Sequence, residues 1–456
     1  MSTAHPAHTR AGGHPPVSAS DITPPLSAER AQAIAHSFDL RALPADFLAN
    51  PYPVYTALRE SDPVRRMPDG SYFLTRHADL VAVYRDAATF SSDKHIEFSP
   101  RFNVPPHSAT QPAPLYQHHT TSLVFSDPPL HTRVRRLIMG ALTRRAIADM
   151  EGGLMELVDR LLDRLQAQGG GDLIEDFAAA IPVEVIGNLL GVPLADRGPL
   201  RDWSLAILGA LEPTLTPEQH ALGNHSVSEM LAYLRTLVAE RRRHPKDPER
   251  DVLTRLILGD GKEGGKDTNE LLTEEELLHN CIFLLNAGHE TTTNLIGNAL
   301  VLLQEHPAAL TQLQQGLRDT RHQPEAQDLL LTRAVDEVLR LESSNQLGNR
   351  RALRPMTVGG VDLPEGALVT LCIGAANRDP AVFSQPDMPD LLRDPNRHLA
   401  FGLGVHQCAG LSLARLEGRI ALGRFLQRFP GYTLSAPPVR GMRARFRGFA
   451  AAPFIA

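Results

Sequence analysis

Apolar residues recur at helical spacing along most of the chain, and charged residues occupy the opposite face of the same segments. The pattern is clearest over residues 153–168, 225–243 and 413–429. Alternation typical of strands is confined to short stretches, such as 71–76 and 361–374. The sequence therefore predicts a mainly α protein with small β-sheets.

One predicted helix is unusually long and has a polar centre. Thr273 and Glu276 form a capping box at its start, and His306 before Pro307 ends it, which gives roughly 34 residues and about 50 Å. Its flanks are apolar, but its middle reads NAGHETT. Because an unpaired carboxylate is unfavourable inside a buried helix, Glu290 is a candidate for proton handling. The alternative is a solvated polar face with a tolerated glycine.

The length and composition are those of a globular protein. The chain has 456 residues, of which 42% are hydrophobic. Neither a Gly/Ser linker nor a repeat divides it after Phe38, so we expect one domain over residues 31–456. A disordered tail rich in Pro, Ser, Ala and His is expected at 1–30, with no apolar stretch long enough for a signal or membrane anchor.

Charge and cysteine usage exclude several classes of protein. The net charge of −6 gives no reason to expect a nucleic acid or membrane partner. Cys281, Cys372 and Cys408 show no C-x-x-C spacing, which argues against a disulfide framework or zinc knuckle and favours a reducing, cytoplasmic setting. Residues 259–264 satisfy G-x-G-x-x-G, but their helical and polar flanks indicate a solvated loop instead of a dinucleotide site.

The third cysteine lies in a distinctive loop. FGLGVHQCAG, residues 401–410, directly precedes the predicted helix 413–429. A thiolate near a helix N-terminus is stabilised by the helix dipole and free N–H groups, which makes Cys408 a candidate metal ligand. The alternative is a buried structural cysteine. Glu337 and Arg340 can also pair on one helix face, although such a pair alone is usually an ordinary surface salt bridge.

Together, the cysteine loop, the NAGHETT helix and the E-x-x-R pair resemble the motifs of the cytochrome P450 family, and the resemblance runs from about Asp46 to the C-terminus. It implies a P450-like single domain, with haem b (iron protoporphyrin IX) between the long central helix and the cysteine-loop helix. Cys408 is then the proximal iron ligand, with Phe401 packed beside it and Ala287 and Gly288 against the distal face. The resemblance assigns four residues to the haem propionates: His131, Arg135, Arg350 and His406.

The same resemblance implies a monooxygenase. Such an enzyme inserts one oxygen atom of O2 into a small to medium, largely apolar substrate, by hydroxylation or O-dealkylation. Glu290 and Thr291 match the acid and alcohol pair that delivers protons during O2 activation. A peroxide-driven peroxygenase and a non-enzymatic haem sensor are the alternatives, and the retained acid and alcohol pair favours the use of O2.

Further contacts follow from the family pattern and from departures from it. The E-x-x-R pair is completed in the family by a later arginine, for which Arg397 is predicted over Arg378. Asn286 stands where an aliphatic residue is usual, and residues 342–350 are unusually polar. Four residues are therefore predicted to contact the substrate: Phe283, Asn286, Asn345 and Gln346. A water-bridged polar helix is the alternative for Asn286.

No flavin- or nicotinamide-binding module is evident in the sequence, so electrons are expected from a separate ferredoxin and its reductase. Residues 131–145 hold five arginines and no carboxylate, and Arg415, Arg419 and Arg424 follow the cysteine loop. If both segments face one side, they form a basic dock for an acidic donor, the alternative being a solvated helix face. We expect a monomer that binds a small molecule and neither nucleic acid nor membrane.

Overall fold

The computed structural model describes residues 27–101, 113–259 and 271–456. Most of the expected tail at 1–30 lies outside these residues, and the first helix starts at Ala28, inside the range assigned to the tail. The proposed solvated loop at 259–264 lies outside them as well, apart from Gly259.

Helices dominate the described residues. In chain order they are α1 Ala28–Ser37, α2 Ala45–Ala49, α3 Tyr52–Ser61, α4 His77–Arg85, α5 His95–Arg101, α6 Pro114–Thr121, α7 Leu130–Ala141, α8 Arg144–Gln168, α9 Ala180–Leu189, α10 Leu200–Gly209, α11 Pro217–Arg243, α12 Val252–Leu258, α13 Glu274–Glu305, α14 Pro307–Asp319, α15 Pro324–Leu341, α16 Ile373–Ala376 and α17 Leu411–Arg428. Short 3-10 turns occur at Leu123–Phe125, Leu194–Asp196 and Gly404–His406, and a π-helical turn spans Leu173–Ala178.

The strands are short and form four small sheets. They are β1 Val64–Arg66, β2 Tyr72–Leu74, β3 Phe90–Ser91, β4 Gly170–Asp172, β5 Leu347–Ala352, β6 Met356–Val358, β7 Val361–Leu363, β8 Leu368–Cys372, β9 Thr433–Leu434, β10 Val439–Arg440, β11 Phe449–Ala451 and β12 Pro453–Ile455. The largest sheet has the order β1-β2-β8-β5-β3, in which only β2 and β8 are parallel. The other sheets are β4-β12-β9, β10-β11 and β6-β7. The prediction of a mainly α fold with small sheets is confirmed.

The long central helix, α13, has the limits predicted from its caps. The Thr273 side chain accepts a hydrogen bond from the backbone N–H of Glu276, whose own side chain accepts from the N–H of Thr273. The helix ends before His306, where Pro307 starts the next helix. Helices α8 and α11 begin earlier than their apolar periodicity indicated, because Thr143 and Thr216 cap them.

Helix α13 crosses the hydrophobic core and belongs to two clusters. Its first half, from Leu277 to Leu285, packs with side chains from α6, α7 and α9–α12. Its second half, from Leu295 to Leu303, packs with α8, α15 and α17. Its polar centre therefore lies between two apolar regions. Within the described ranges, no helix combines the length and apolarity needed to cross a membrane.

Candidate active site

A cavity of about 360 Å³ lies between the centre of α13 and the loop that leads into α17. Its wall brings together side chains that are far apart in the sequence. Nine of the residues predicted to contact the haem or to take part in O2 activation line it: His131, Arg135, Ala287, Gly288, Thr291, Arg350, Phe401, His406 and Cys408.

The cysteine loop is shaped by positive backbone angles. Gly402 and Gly404 have φ angles of +62° and +74°, and a Cβ on Gly404 would lie 2.3 Å from the carbonyl oxygen of Tyr84. The Cys408 N–H donates to the Phe401 carbonyl at 2.8 Å. These glycines let the loop turn tightly against α4 and present Cys408 to the cavity.

The thiol of Cys408 experiences opposing effects. Burial raises its pKa, whereas the N–H of Gly410 and the guanidinium groups of Arg135 and Arg415 lower it. The expected stabilisation of a thiolate by groups near the helix N-terminus is present, but in the chain alone burial outweighs it. A metal ion bound by the sulfur would lower this pKa further.

One side of the cavity is cationic. The rings of His131 and His406 lie 4.1 Å apart, and His131 Nε2 is buried without a hydrogen-bond partner. Arg135 donates to the Gln407 carbonyl at 2.7 Å, and Arg350 lies over the ring of Tyr84. Within the described residues, neither guanidinium forms an ion pair. Burial and the charge of Arg350 lower the pKa of His406 to about 2, so this wall favours a bound anion.

The centre of α13 forms the facing wall. The Thr291 hydroxyl donates to the Ala287 carbonyl at 2.7 Å. A Cβ on Gly288 would lie 2.4 Å from Ile186 Cδ1, so the small residue also serves the packing of α9 against α13. Glu290 points elsewhere: it is not part of the cavity wall, and its Oε1 accepts from Arg443 Nη1 at 2.6 Å. Burial raises the pKa of Glu290 to about 7, even though Arg443 lowers it.

Comparison with known proteins decides the family. Residues 206–439 match the family model described as Cytochrome P450. The chain is 35% identical over 397 residues to the biotin biosynthesis cytochrome P450 of Bacillus subtilis (strain 168), covering 86% of this chain and 92% of that protein. The chain belongs to the cytochrome P450 family.

This P450 is also similar in sequence to a second enzyme and in fold to a solved P450 structure. The vitamin D(3) 25-hydroxylase of Pseudonocardia autotrophica is 34% identical over 394 residues, 85% of this chain and 89% of that enzyme. The crystal structure of P450BioI, in complex with an acyl carrier protein ligated to hexadec-9Z-enoic acid, superimposes with a TM-score of 0.79 at 33% identity, over 91% of this chain and 100% of that one. This P450 is a haem-dependent monooxygenase that uses O2, and therefore an oxidoreductase.

Three of the four residues predicted to contact the substrate line the cavity of this P450. Phe283 and Asn345 lie in the wall, and so does Asn286, whose two amide atoms are buried without hydrogen-bond partners. The prediction for Gln346 is wrong. Its Nε2 donates to the Ser343 carbonyl at 2.7 Å and its Oε1 lies against Gly374, so the side chain packs outside the cavity.

The E-x-x-R pair is fully buried, but the arginine that completes it is not the predicted one. Arg340 donates to both carboxylate oxygens of Glu337 at 2.8 Å. The third member is Arg393, whose Nε lies 3.2 Å from Glu337 Oε2. The prediction of Arg397 is wrong: the side chains of Arg393 and Asn396 face Glu337, and the next residue is exposed. Arg378 also lies elsewhere, paired with Glu342.

The predicted basic dock is smaller in the structure than in the sequence. The three arginines of α17 that entered this prediction are all paired: Arg415 with Asp336, Arg419 with Glu151 and Asp328, and Arg424 with Asp159. They do not form the unpaired basic surface that the sequence indicated. Arg144 and Arg145, at the start of α8, are exposed.

Four charged side chains near the cavity were missed by the sequence analysis. The wall includes Lys94, just before α5, and Glu97, within α5. It also includes Arg445, before β11, and Glu417, in α17. The stretch RGMRARFRG, residues 440–448, was the available signal, because four arginines in nine residues of a structured segment need partners. Nothing in the local sequence distinguished Glu417 from an exposed helical glutamate.

Proposed function

We propose that this P450 is a haem-thiolate monooxygenase that binds haem b through Cys408 and inserts one oxygen atom of O2 into a small to medium, largely apolar molecule. Hydroxylation and O-dealkylation are the proposed outcomes. The observation that carries the proposal is the convergence, on one cavity, of a cysteine loop, the centre of α13 and a cationic wall.

The residues present fit a haem. No group of three or more ligating side chains occurs in the described parts of the chain, so one thiolate plus a macrocycle is the metal site that the cavity suits. His131, Arg135, Arg350 and His406 offer donors for two carboxylates, in keeping with the orphaned His131 Nε2. Phe401 is proposed to pack beside the sulfur, and Ala287 and Gly288 to leave room over the distal face.

A thiolate-ligated haem supplies the O2 activation and oxygen transfer that the side chains themselves cannot perform. Thr291 places a hydroxyl at the wall: its proton is donated to the Ala287 carbonyl, and the lone pairs of Oγ1 are left to accept a hydrogen bond from a molecule in the cavity. Although its carboxylate lies outside the cavity wall, Glu290, the neighbour of Thr291 in α13, is proposed as the proton source, because a carboxyl group with a pKa of about 7 exchanges protons readily at neutral pH. Arg443 holds that carboxylate in place.

Electrons are proposed to come from a ferredoxin and its reductase, acting as separate proteins in the cytoplasm on a monomeric P450. The exposed Arg144 and Arg145 support a docking site near the thiolate, because they follow α7, which contacts the cysteine loop through Arg135. An acidic donor would be steered to such a surface at low salt.

The test is spectroscopic and begins with the thiolate. The purified protein should show a Soret band, and reduction under carbon monoxide should give the shifted band of a thiolate-ligated haem. Cys408→Ser should abolish that shifted band, and the buried Cys281→Ser, as the matched control, should retain it. A protein without a Soret band, or a C408S variant with the unchanged spectrum, would overturn the proposal.

Turnover separates the three modes of action. The monooxygenase needs O2 and an electron donor, so product should appear with a ferredoxin, its reductase and NAD(P)H. Full turnover with peroxide alone would instead indicate a peroxygenase, and ligand-induced spectral change without product from any panel compound would favour a sensor.

Asn286 is proposed to hydrogen-bond a polar group of the substrate. Its amide is 2% exposed and unpartnered, so a ligand donor or acceptor there would satisfy it. Asn286→Leu should reduce about tenfold the preference for ligands with a hydroxyl over matched ligands without one, measured by Soret titration. Phe283→Leu, on the same wall, is the control. An unchanged preference in the Asn286 variant would contradict the assignment.

A further inference from the structure

A guanidinium and many apolar side chains share the cavity wall. The apolar side chains include Phe98, Leu123, Ile207, Leu211, Phe283 and Phe446. Arg445 precedes Phe446 and lines the same wall. It is not one of the four side chains proposed for the haem carboxylates. A guanidinium beside apolar side chains suits a ligand that is apolar along its length and carries the opposite charge at one end.

The hydrogen bonds of Arg445 hold the guanidinium in place but leave donors free. Nε donates to the Leu211 carbonyl at 2.8 Å, Nη1 donates to the Leu347 carbonyl at 2.6 Å, and Nη2 donates to Asn349 Oδ1. All three acceptors are uncharged. A guanidinium has five N–H donors, so Nη1 and Nη2 each retain one. These two remaining donors are enough to serve the two oxygens of a carboxylate.

The neighbouring carboxylates are engaged elsewhere. Glu97 pairs with Lys94 at 2.5 Å, and Glu212, which is not part of the wall, accepts from the backbone N–H groups of Ala444 and Arg445. Burial lowers the pKa of Arg445, and Glu212 and Glu97 oppose this only in part. Within the described residues, Arg445 has no ion-pair partner. A half-buried cation without an ion-pair partner is unfavourable, and a bound anion offsets part of the penalty.

We propose that Arg445 binds the carboxylate of an amphipathic substrate whose apolar part lies along Phe98, Phe283 and Phe446. This inference rests on the proposed function, because it names the substrate class of the same cavity. The substrate is thus an apolar acid, and Arg445 determines which end of it is fixed while the other end reaches the thiolate side of the cavity.

Matched ligands test the proposal on the unmodified holoenzyme. The probes are unbranched fatty acids of about eight to sixteen carbons, each compared with the primary amide and alcohol of the same length, below micelle formation and at a pH where the acid is ionised. Affinity is measured from the Soret shift. The acid of the best length should bind about tenfold more tightly than its amide, and the difference should shrink as salt is raised. Equal affinities, or no shift with any acid, overturn the assignment.

Two variants change the charge around the site in opposite directions. Arg445→Gln keeps hydrogen-bond donors for the neighbouring carbonyls but removes the charge, and it should abolish the preference for the acid. Glu97→Gln removes a carboxylate from the same wall, and it should increase the preference. If R445Q does not fold, the E97Q variant and the ligand series still decide, because an unchanged or reduced preference in E97Q contradicts the proposal.

The spectra keep this inference separate from the proposed function. A holoenzyme with an intact thiolate-haem spectrum and no preference for acids refutes only the role of Arg445. A chain that binds no haem refutes the proposed function itself. If R445Q loses haem while the unmodified protein shows no acid preference, Arg445 contacts the haem and not the substrate, which also overturns the inference.

Discussion

Arg393 and Arg397 lie four residues apart, and only one of them reaches the buried Glu337. The Glu337 carboxylate accepts from Arg340, Arg393, Asn396 and the backbone N–H of Asp390. A carboxylate that is completely buried depends on each of these donors. The family resemblance implied that a later arginine completes this site, but the direction of each side chain depends on the irregular path of residues 390–397.

The first prediction compares those two arginines. Arg393→Gln should lower the free energy of unfolding by about 2 kcal/mol, because the buried carboxylate of Glu337 loses a charged donor. Arg397→Gln is the control and should change it by less than about 0.5 kcal/mol, because that side chain is exposed. Urea unfolding of the holoprotein, followed by circular dichroism, measures both. Equal effects would contradict the structural assignment.

Glu417 gives a prediction about pH. The side chain is 2% exposed, its Oε2 has no hydrogen-bond partner, and burial raises its pKa to about 8. When folding raises the pKa of an acid, its contribution to stability is fully present at pH values below the pKa of the unfolded state. That contribution is lost as the pH rises through the pKa of the folded state. The protein should therefore lose stability relative to Glu417→Gln as the pH increases from about 4.5 to 8.

Thermal unfolding of the unmodified protein and of Glu417→Gln at both ends of that range measures the effect. Relative to the unmodified protein, the free energy of unfolding of the Glu417→Gln variant should increase as the pH rises. The increase should be at most about 1.4 kcal/mol per pH unit between the pKa values of the unfolded and folded states. If the two proteins show the same pH dependence, Glu417 has a partner that satisfies its charge.

Among the secondary-structure elements, those with strong local signals could be predicted from the sequence and those made by distant pairing could not. The ends of α13 followed from a capping box and a proline. By contrast, β12 pairs with β4 and β9, which lie far apart in the chain. Gln346 was misplaced for the same reason, since its Oε1 lies against Gly374, which follows β8, and that contact depends on how β5 meets β8. Tertiary contacts decide such cases.

The tight cysteine loop yields a prediction with a matched control. Gly404 and Gly360 have φ angles of +74° and +86°, but only at Gly404 would a Cβ meet backbone, 2.3 Å from Tyr84 O, whereas nothing lies within 4 Å of Gly360. Gly360→Ala should destabilise by about 1 kcal/mol through backbone strain. Gly404→Ala should lower the stability of the fold by more than Gly360→Ala does, and it should also reduce the amount of haem bound per chain. Equal haem content and melting temperature in the two variants would contradict this account.

Over the whole molecule, ion pairs connect α8 to α17. Arg424 pairs with Asp159 and Arg428 with Asp163, and both pairs span 265 positions. The equal offset shows that the two helices run in the same direction. Arg424 was one of the arginines of the predicted basic dock, because a sequence does not show which distant carboxylate will face each arginine. Partly exposed pairs of this kind contribute little stability and mainly set the alignment of the helices.

The remaining exposed arginines give a prediction about the electron donor. Arg145→Glu should slow reduction by a ferredoxin about tenfold at low salt, and the effect should fade at high salt because screening removes the steering. Arg66→Glu in β1 carries the same change in charge, is also exposed, and serves as the control. Stopped-flow reduction of the haem measures the rate. Equal slowing by both variants would refute a specific docking surface at the start of α8.

The two ion pairs between α8 and α17 also constrain how this chain can evolve. If Asp159 changes, Arg424 is left facing a neutral or like-charged partner, so a substitution at one position favours a compensating one at the other. The same holds for Asp163 and Arg428. Among related sequences these positions should therefore covary, and that covariation would reveal the parallel arrangement of two helices that no local pattern in a single sequence can show.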